Sequence, residues 1–315
     1  MFLAVINTVV PIFGLILLGW FCGRREIFNS AAADGLNRFV VYLALPALLF
    51  IAMARADLDA MSEIGFVASF VIGTFLTTLI YWWLSRRDGL SFLPRMINGL
   101  SVGYANTGYM GIPLIFLVFG EKALPIAVIG AVLTGAVQFG LTIVTIEVVR
   151  ARGGSLGPAL KKVGLSLVKN PILMAAVLGI LFSAMGWRLP LSLEGGVDLL
   201  AKAATPCALL TIGLFIAQTK VPATSTTVPK VVALKLLVHP LIVAILVLGV
   251  FRIDPLWAWC AILAAALPVG TGPFMLAHLY QQDSAISARA ILISTLISVV
   301  TLSLLIAWVN HAGIA

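Results

Sequence analysis

Apolar runs of about 20 residues recur along the whole chain, the length a helix needs to cross a bilayer. Two of these runs carry glycine and proline at their centres. Run 96–119 holds Tyr104-Ala105-Asn106-Thr107-Gly108-Tyr109-Met110-Gly111-Ile112-Pro113, and run 256–279 holds Leu267-Pro268-Val269-Gly270-Thr271-Gly272-Pro273. Lipid cannot hydrogen-bond an unwound backbone. Such breaks therefore persist at membrane depth only where protein or a polar cavity surrounds them.

The chain is 61% hydrophobic and only 10% charged, against about a quarter charged in a soluble domain. Its mean hydropathy is +1.13. An all-α polytopic membrane protein follows, and a soluble nucleic-acid-binding protein is excluded despite the net charge of +8. Ten spans are expected, at about 3–22, 37–54, 63–84, 96–119, 123–149, 170–187, 199–217, 230–251, 256–279 and 286–309. The first has no basic leader and no small-residue cleavage site, so it reads as a retained helix. Cys22, Cys207 and Cys260 sit in or beside apolar runs without metal spacing and read as small core residues.

Loop charge sets an orientation. The loops after the odd spans hold 14 of the 20 Lys and Arg residues, those after the even spans hold 5, and Lys235 lies within a span. Positive charge stays cytoplasmic, so both termini are expected outside the cytoplasm, with Asp57, Asp59 and Glu63 on the same outer side. Tryptophans 82, 83, 187, 257, 259 and 308 lie near span ends and read as an interfacial belt.

A displacement of 160 carries Pro11 to Pro171, Pro46 to Pro206, Pro113 to Pro273 and Gly19 to Gly179. The chain thus reads as two five-span copies, 1–155 and 156–315, joined through the basic segment 150–169. Five is odd, so the second copy enters the membrane from the opposite side. The result is an inverted 5+5 repeat, in which interrupted spans four and nine occupy equivalent positions and run oppositely.

If these broken spans cross, helix N-termini meet there. Unpaired N–H groups and the positive end of the helix dipole favour an anion such as a carboxylate. Gly108, Gly111, Gly270 and Gly272 permit non-helical backbone, while Pro113, Pro268 and Pro273 disfavour continuous helix. Asn106, Thr107, Tyr109 and Thr271 can hydrogen-bond backbone or substrate. No Asp or Glu lies near either break, which argues against a cation as substrate. Candidates for charge or proton coupling are Lys235 and His239, four residues apart on one helix face, together with Gln138 and Glu147. Bland roles stand beside these: Lys235 snorkelling to the interface, Gln138 in an interhelical hydrogen bond, and Glu147 pairing with Arg150 or Lys235. Pro46 and Pro206 are expected to kink their spans. Gly14 and Gly19 are expected to allow close helix packing.

The ten-span plan, the run Asn106-Thr107-Gly108-Tyr109-Met110-Gly111-Ile112-Pro113-Leu114, the 268–273 run and the Lys235/His239-Pro240 pattern together resemble the auxin efflux carrier family. Its bacterial members include malonate transporters, and its plant members are the PIN carriers. The resemblance implies a fold like that of bile-acid symporters and sodium/proton antiporters. Spans one, two, six and seven would form a scaffold, and spans three to five and eight to ten a moving core. It implies secondary transport of a small organic carboxylate, auxin-like or a dicarboxylate such as malonate, by an elevator movement. It also implies a bacterial inner-membrane location and a homodimer through the scaffold. Plant carriers have an Asn-Pro pair at the first crossover, whereas Ala105-Asn106 stands here; they also have a long central loop that this chain lacks. No cofactor or metal is expected, nor a nucleic-acid partner. An anion channel lined by the same breaks is the alternative. An intramembrane enzyme lacks a nucleophile–base or metal constellation.

Overall fold

The computed structural model describes residues 2–56, 63–150, 157, 161, 164–165, 168–218 and 226–311. Asp57, Asp59 and most of the expected joint 150–169 lie outside them. The described residues are helical: α1 (Phe2–Arg24), α2 (Ser30–Ala54), α3 (Ile64–Leu84), α4 (Phe92–Ser101), α5 (Ile112–Phe119), α6 (Glu121–Val149), α7 (Pro171–Ala184), α8 (Leu191–Gln218), α9 (Thr227–Val250), α10 (Pro255–Ala266), α11 (Gly272–Leu279) and α12 (Ala285–His311). A short 3₁₀ turn, Ser85–Arg87, extends α3.

Six helices are long and apolar enough to cross a membrane: Ser30–Ala54, Ile64–Arg87, Glu121–Val149, Leu191–Gln218, Thr227–Val250 and Ala285–His311. The chain is a multi-pass membrane protein. Shorter apolar helices cover Val10–Arg24, Thr107–Phe119, Pro171–Ala184 and Pro255–Ala266. In the runs expected as spans four and nine, the helices are short because the chain leaves the helix midway.

Several helix starts follow from sequence. Asn170 and Asp254 each precede a proline at the first helical position. Asn170 accepts from the Ile172 N–H at 3.0 Å, and Asp254 from the Leu256 N–H at 2.9 Å. The cap satisfies donors that the first turn leaves open, and the proline lacks a donor that would need one.

The chain forms two compact units. The first draws its described residues from Met1–Ser62, Gly108–Ile129 and Ser166–Thr219; the second from Glu63–Thr107, Gly130–Leu165 and Lys220–Ala315.

In the first unit, glycine sets the helix spacing. A Cβ on Gly19 would lie 2.2 Å from the Leu210 carbonyl oxygen, and one on Gly213 would lie 2.0 Å from that of Ile16. Only glycine lets the α1 and α8 backbones touch in this way. Gly179 does the same for α7 against Phe50 on α2, at 2.6 Å. Gly14, by contrast, faces open space and mediates no such contact. Arg55 bonds Glu194 at 2.7 Å and Asp198 at 3.1 Å.

In the second unit, Ile97 and Leu100 of α4, Ile143 and Ile146 of α6, and Leu276 of α11 share one core with Tyr280. Trp257 and Trp259 are buried rather than interfacial. Trp257 packs edge-on against Phe66, and Trp259 against Trp308. Their faces of α10 point into the bundle, so proximity to a span end does not suffice to place them in a belt. Trp83, Trp187 and Trp308 are exposed.

Candidate functional site

Both interruptions are present, and in the second unit they pair with each other. Helix α4 ends at Ser101, where the N–H groups of Gly103 and Tyr104 fold back onto the Leu100 carbonyl. Helix α10 ends at Ala266 and α11 begins at Gly272. Between these ends Ala105 and Val269 form an isolated antiparallel bridge. Asn106 donates its N–H to the Pro268 carbonyl, and Gly270 donates its N–H to the Tyr104 carbonyl, both at 2.9 Å. Ser294 of α12 accepts the Val269 N–H at 3.0 Å. Backbone groups that would be costly in lipid are thus satisfied by the other break and by a neighbouring helix.

The first break is narrower than the sequence suggests. Thr107–Gly111 forms a π-helical turn that runs into α5, so the non-helical stretch covers 102–106. Asn106 and Thr107 are buried. The Asn106 side-chain amide makes no hydrogen bond among the described residues. It therefore retains donors and an acceptor beside the bridge.

The two second-break glycines have a packing role. A Cβ on Gly272 would sit 2.3 Å from the Tyr104 ring, and one on Gly270 would sit 3.0 Å from both that ring and the Ala105 carbonyl oxygen. Tyr104 lies across the start of α11, and glycine is what admits it. Tyr104 stands in the break in the sequence without a role of its own there; the available signal is an aromatic residue in one break and two glycines in the other. Thr271 accepts the Met275 N–H at 3.0 Å, and Pro273 occupies the first turn of α11. Pro268 contributes its carbonyl to the bridge.

Within the first unit, Gly108, Tyr109, Gly111 and Pro113 lead into α5. The Tyr109 hydroxyl donates to Asn37 Oδ1 at 2.6 Å. Asn37 carries no local signal, being 72 residues away in sequence. A Cβ on Gly108 would meet nothing within 4 Å.

Lys235 does not snorkel. It is fully buried, and its Nζ donates to the Ala265 carbonyl at 2.5 Å. That carbonyl belongs to the last turn of α10, where helical carbonyls lack partners and the dipole is negative. His239 is also fully buried. Its Nδ1 lies 3.4 Å from Lys235 Nζ, and its Nε2 lies 3.4 Å from Thr74 Oγ1. Lys235 thus secures the helix end that leads into the second break. Lys235 stands in a π-helical turn, Leu234–Val238, and Gln138 ends another, Leu133–Gln138. Such turns recur at functional sites because they re-aim side chains.

Both amide atoms of Gln138 are buried, and no interhelical hydrogen bond to them is made among the described residues. Glu147 accepts from the Tyr280 hydroxyl at 2.7 Å.

Comparison with known proteins decides the family. Residues 4–306 match the family model described as membrane transport protein. The chain is 31% identical over 306 residues to the "Putative malonate transporter" of Rhizobium meliloti, covering 94% of this chain and 93% of that one. The chain belongs to the auxin efflux carrier family of membrane transport proteins. This transporter is also 26% identical to the "Uncharacterized transporter YfdV" of Escherichia coli, over 94% of its own length and 95% of that protein. It is 23% identical to "Auxin efflux carrier component 8" of Arabidopsis thaliana, over 94% of its own length and 95% of the plant protein. The family expectation from the Asn106–Leu114 run therefore holds over nearly the whole chain.

Proposed function

We propose that this transporter is a secondary carrier for a small organic carboxylate, bound at the paired breaks. The observation that carries the reading is the bridge between Ala105 and Val269, with the unengaged Asn106 amide beside it. The start of α11 at Gly272 supplies open N–H groups and a positive dipole end. Asn106, Thr107, Gly270, Thr271 and Gly272 would hold the carboxylate, with Pro268 and Pro273 fixing the backbone. The absence of Asp or Glu from either break suits an anion. Two relatives carry names that refer to malonate and to auxin, both carboxylic acids.

The architecture in this reading is an inverted 5+5 repeat of ten spans with both termini outside the cytoplasm, in a bacterial inner membrane. Spans one, two, six and seven would act as scaffold and dimer interface, and spans three to five and eight to ten would carry substrate by an elevator movement. Lys235 and His239 would offset charge or relay a proton, with Gln138 and Glu147 as further polar stations.

Purified protein in liposomes preloaded with unlabelled carboxylate tests this. A panel of malonate, succinate and indole-3-acetate should include a substrate with saturable uptake stimulated by internal substrate. Non-saturating currents without counterflow would instead establish the channel alternative.

A further inference from the structure

A groove of about 370 Å³ lies among α3, α4 and α6, its inner wall at Thr74 and Gln138 lying against Gly103 at the edge of the first break. Phe75, Leu79, Trp82, Met96, Val137 and Leu141 form much of its wall. Phe75 is 60% exposed and Leu141 57% exposed, so on membrane-crossing helices the groove opens toward lipid. Three of its threonines are spent on carbonyls, Thr78 on Gly99, Thr142 on Gln138 and Thr145 on Leu141, while at its inner end Thr74 lies 3.4 Å from His239 and the Gln138 amide has no partner among the described residues. What fits such a groove is a flexible apolar chain.

The same face of α3 continues to a charged end. Phe75, Leu79 and Trp83 recur at intervals of four and share one helix face. Beyond them a second cavity of about 520 Å³ is lined by Trp83, Leu84, Arg86 and Arg87. The Arg86 guanidinium sits 5.3 Å from the Trp83 ring centroid, and its Nε donates to the Trp83 carbonyl at 3.1 Å. Neither arginine has a carboxylate partner among the described residues. The neighbouring Asp88 is occupied by Lys230 at 2.6 Å. The apolar groove and two guanidinium groups without a carboxylate partner among the described residues thus lie on successive turns toward one end of a spanning helix. That is the chemistry of an anionic phospholipid: acyl chain along the groove, phosphate at the arginine fork.

We propose that α3 and α6 hold one anionic glycerophospholipid, its acyl chain between Leu79 and Leu141 and its phosphate on Arg86 and Arg87. The contacts it names, Leu79, Leu141, Arg86 and Arg87, are not among the residues assigned to the carboxylate.

Native mass spectrometry of the full chain in detergent, titrated with phosphatidylglycerol or phosphatidylcholine of matched chains, tests it. The expected result is tighter retention of phosphatidylglycerol by about tenfold or more, lost in R86Q/R87Q. A second variant, Val137→Trp, fills the groove and should weaken both lipids while leaving the headgroup preference intact. Thermal melting of both variants in phosphatidylcholine nanodiscs should match the native protein. Equal retention of the two lipids by the native protein would overturn the proposal, as would an unchanged preference in R86Q/R87Q. Displacement of phosphatidylglycerol by glycerol phosphate alone would reduce the site to a phosphate site and overturn it equally.

Discussion

Asn106 donates its backbone N–H to the carbonyl of Pro268, joining two interruptions that lie more than 150 residues apart in sequence. With the reciprocal bond from Gly270 to Tyr104, each break becomes the hydrogen-bonding partner that lipid cannot be. The paired breaks are therefore a built element of structure, held on one side by Ser294 and on another by the Lys235 contact to Ala265.

The packing of Tyr104 gives a first test. Gly272→Ala places a methyl group against the ring at 2.3 Å, so ring and helix start must separate. Overpacking of this kind costs about 1–3 kcal/mol. The melting temperature should fall for Gly272→Ala and stay close to native for Gly108→Ala, which adds its methyl group to open space. Equal melting of the two variants would show that Tyr104 does not occupy this position.

Lys235 gives a second test. Lys235→Met keeps most of the side-chain volume and removes the donor to Ala265. A buried carbonyl left without its partner costs about 1–3 kcal/mol. The variant should melt lower than the native protein in detergent, and lower than Thr74→Val, which removes only a long contact to His239. A melting temperature unchanged in Lys235→Met would mean that the ammonium does not stabilise the α10 terminus.

The buried amide of Gln138 is expected to behave in the opposite way. Neither of its polar atoms has a partner among the described residues, so it carries the cost of desolvation without a compensating bond. Gln138→Leu should therefore match or exceed the native melting temperature. A fall of several degrees would reveal a partner for the amide in the protein as purified.

What the sequence makes legible is local. Glycine and proline inside an apolar run mark both breaks, and the run lengths mark α2, α3, α6, α8, α9 and α12 as membrane-crossing helices. The partners of the breaks are not legible, because a two-bond bridge between remote segments leaves no periodic pattern. Nor are the π-helical turns at Thr107–Gly111, Leu133–Gln138 and Leu234–Val238, whose extra residue depends on packing rather than on composition. Lys235 shows the limit well. Its spacing to His239 is readable as one helix face, yet the choice between interface and interior depends on the Ala265 carbonyl, 30 residues onward in sequence. Trp257 and Trp259 show the same limit from the other side: their positions suggest a belt, and their neighbours Phe66 and Trp308 show where the rings lie.

The central claim is that the Asn106 amide binds the transported carboxylate. Counterflow uptake by Asn106→Ala in liposomes tests it most directly, using whichever member of the carboxylate panel the native protein exchanges. The side chain makes no hydrogen bond among the described residues, so the variant should keep its melting temperature. A hydrogen bond to a charged group contributes about 1.5–3 kcal/mol; losing it should lower apparent affinity by about tenfold or more. Native melting with uptake weakened to that extent is the expected result, and native melting with native uptake would contradict the assignment.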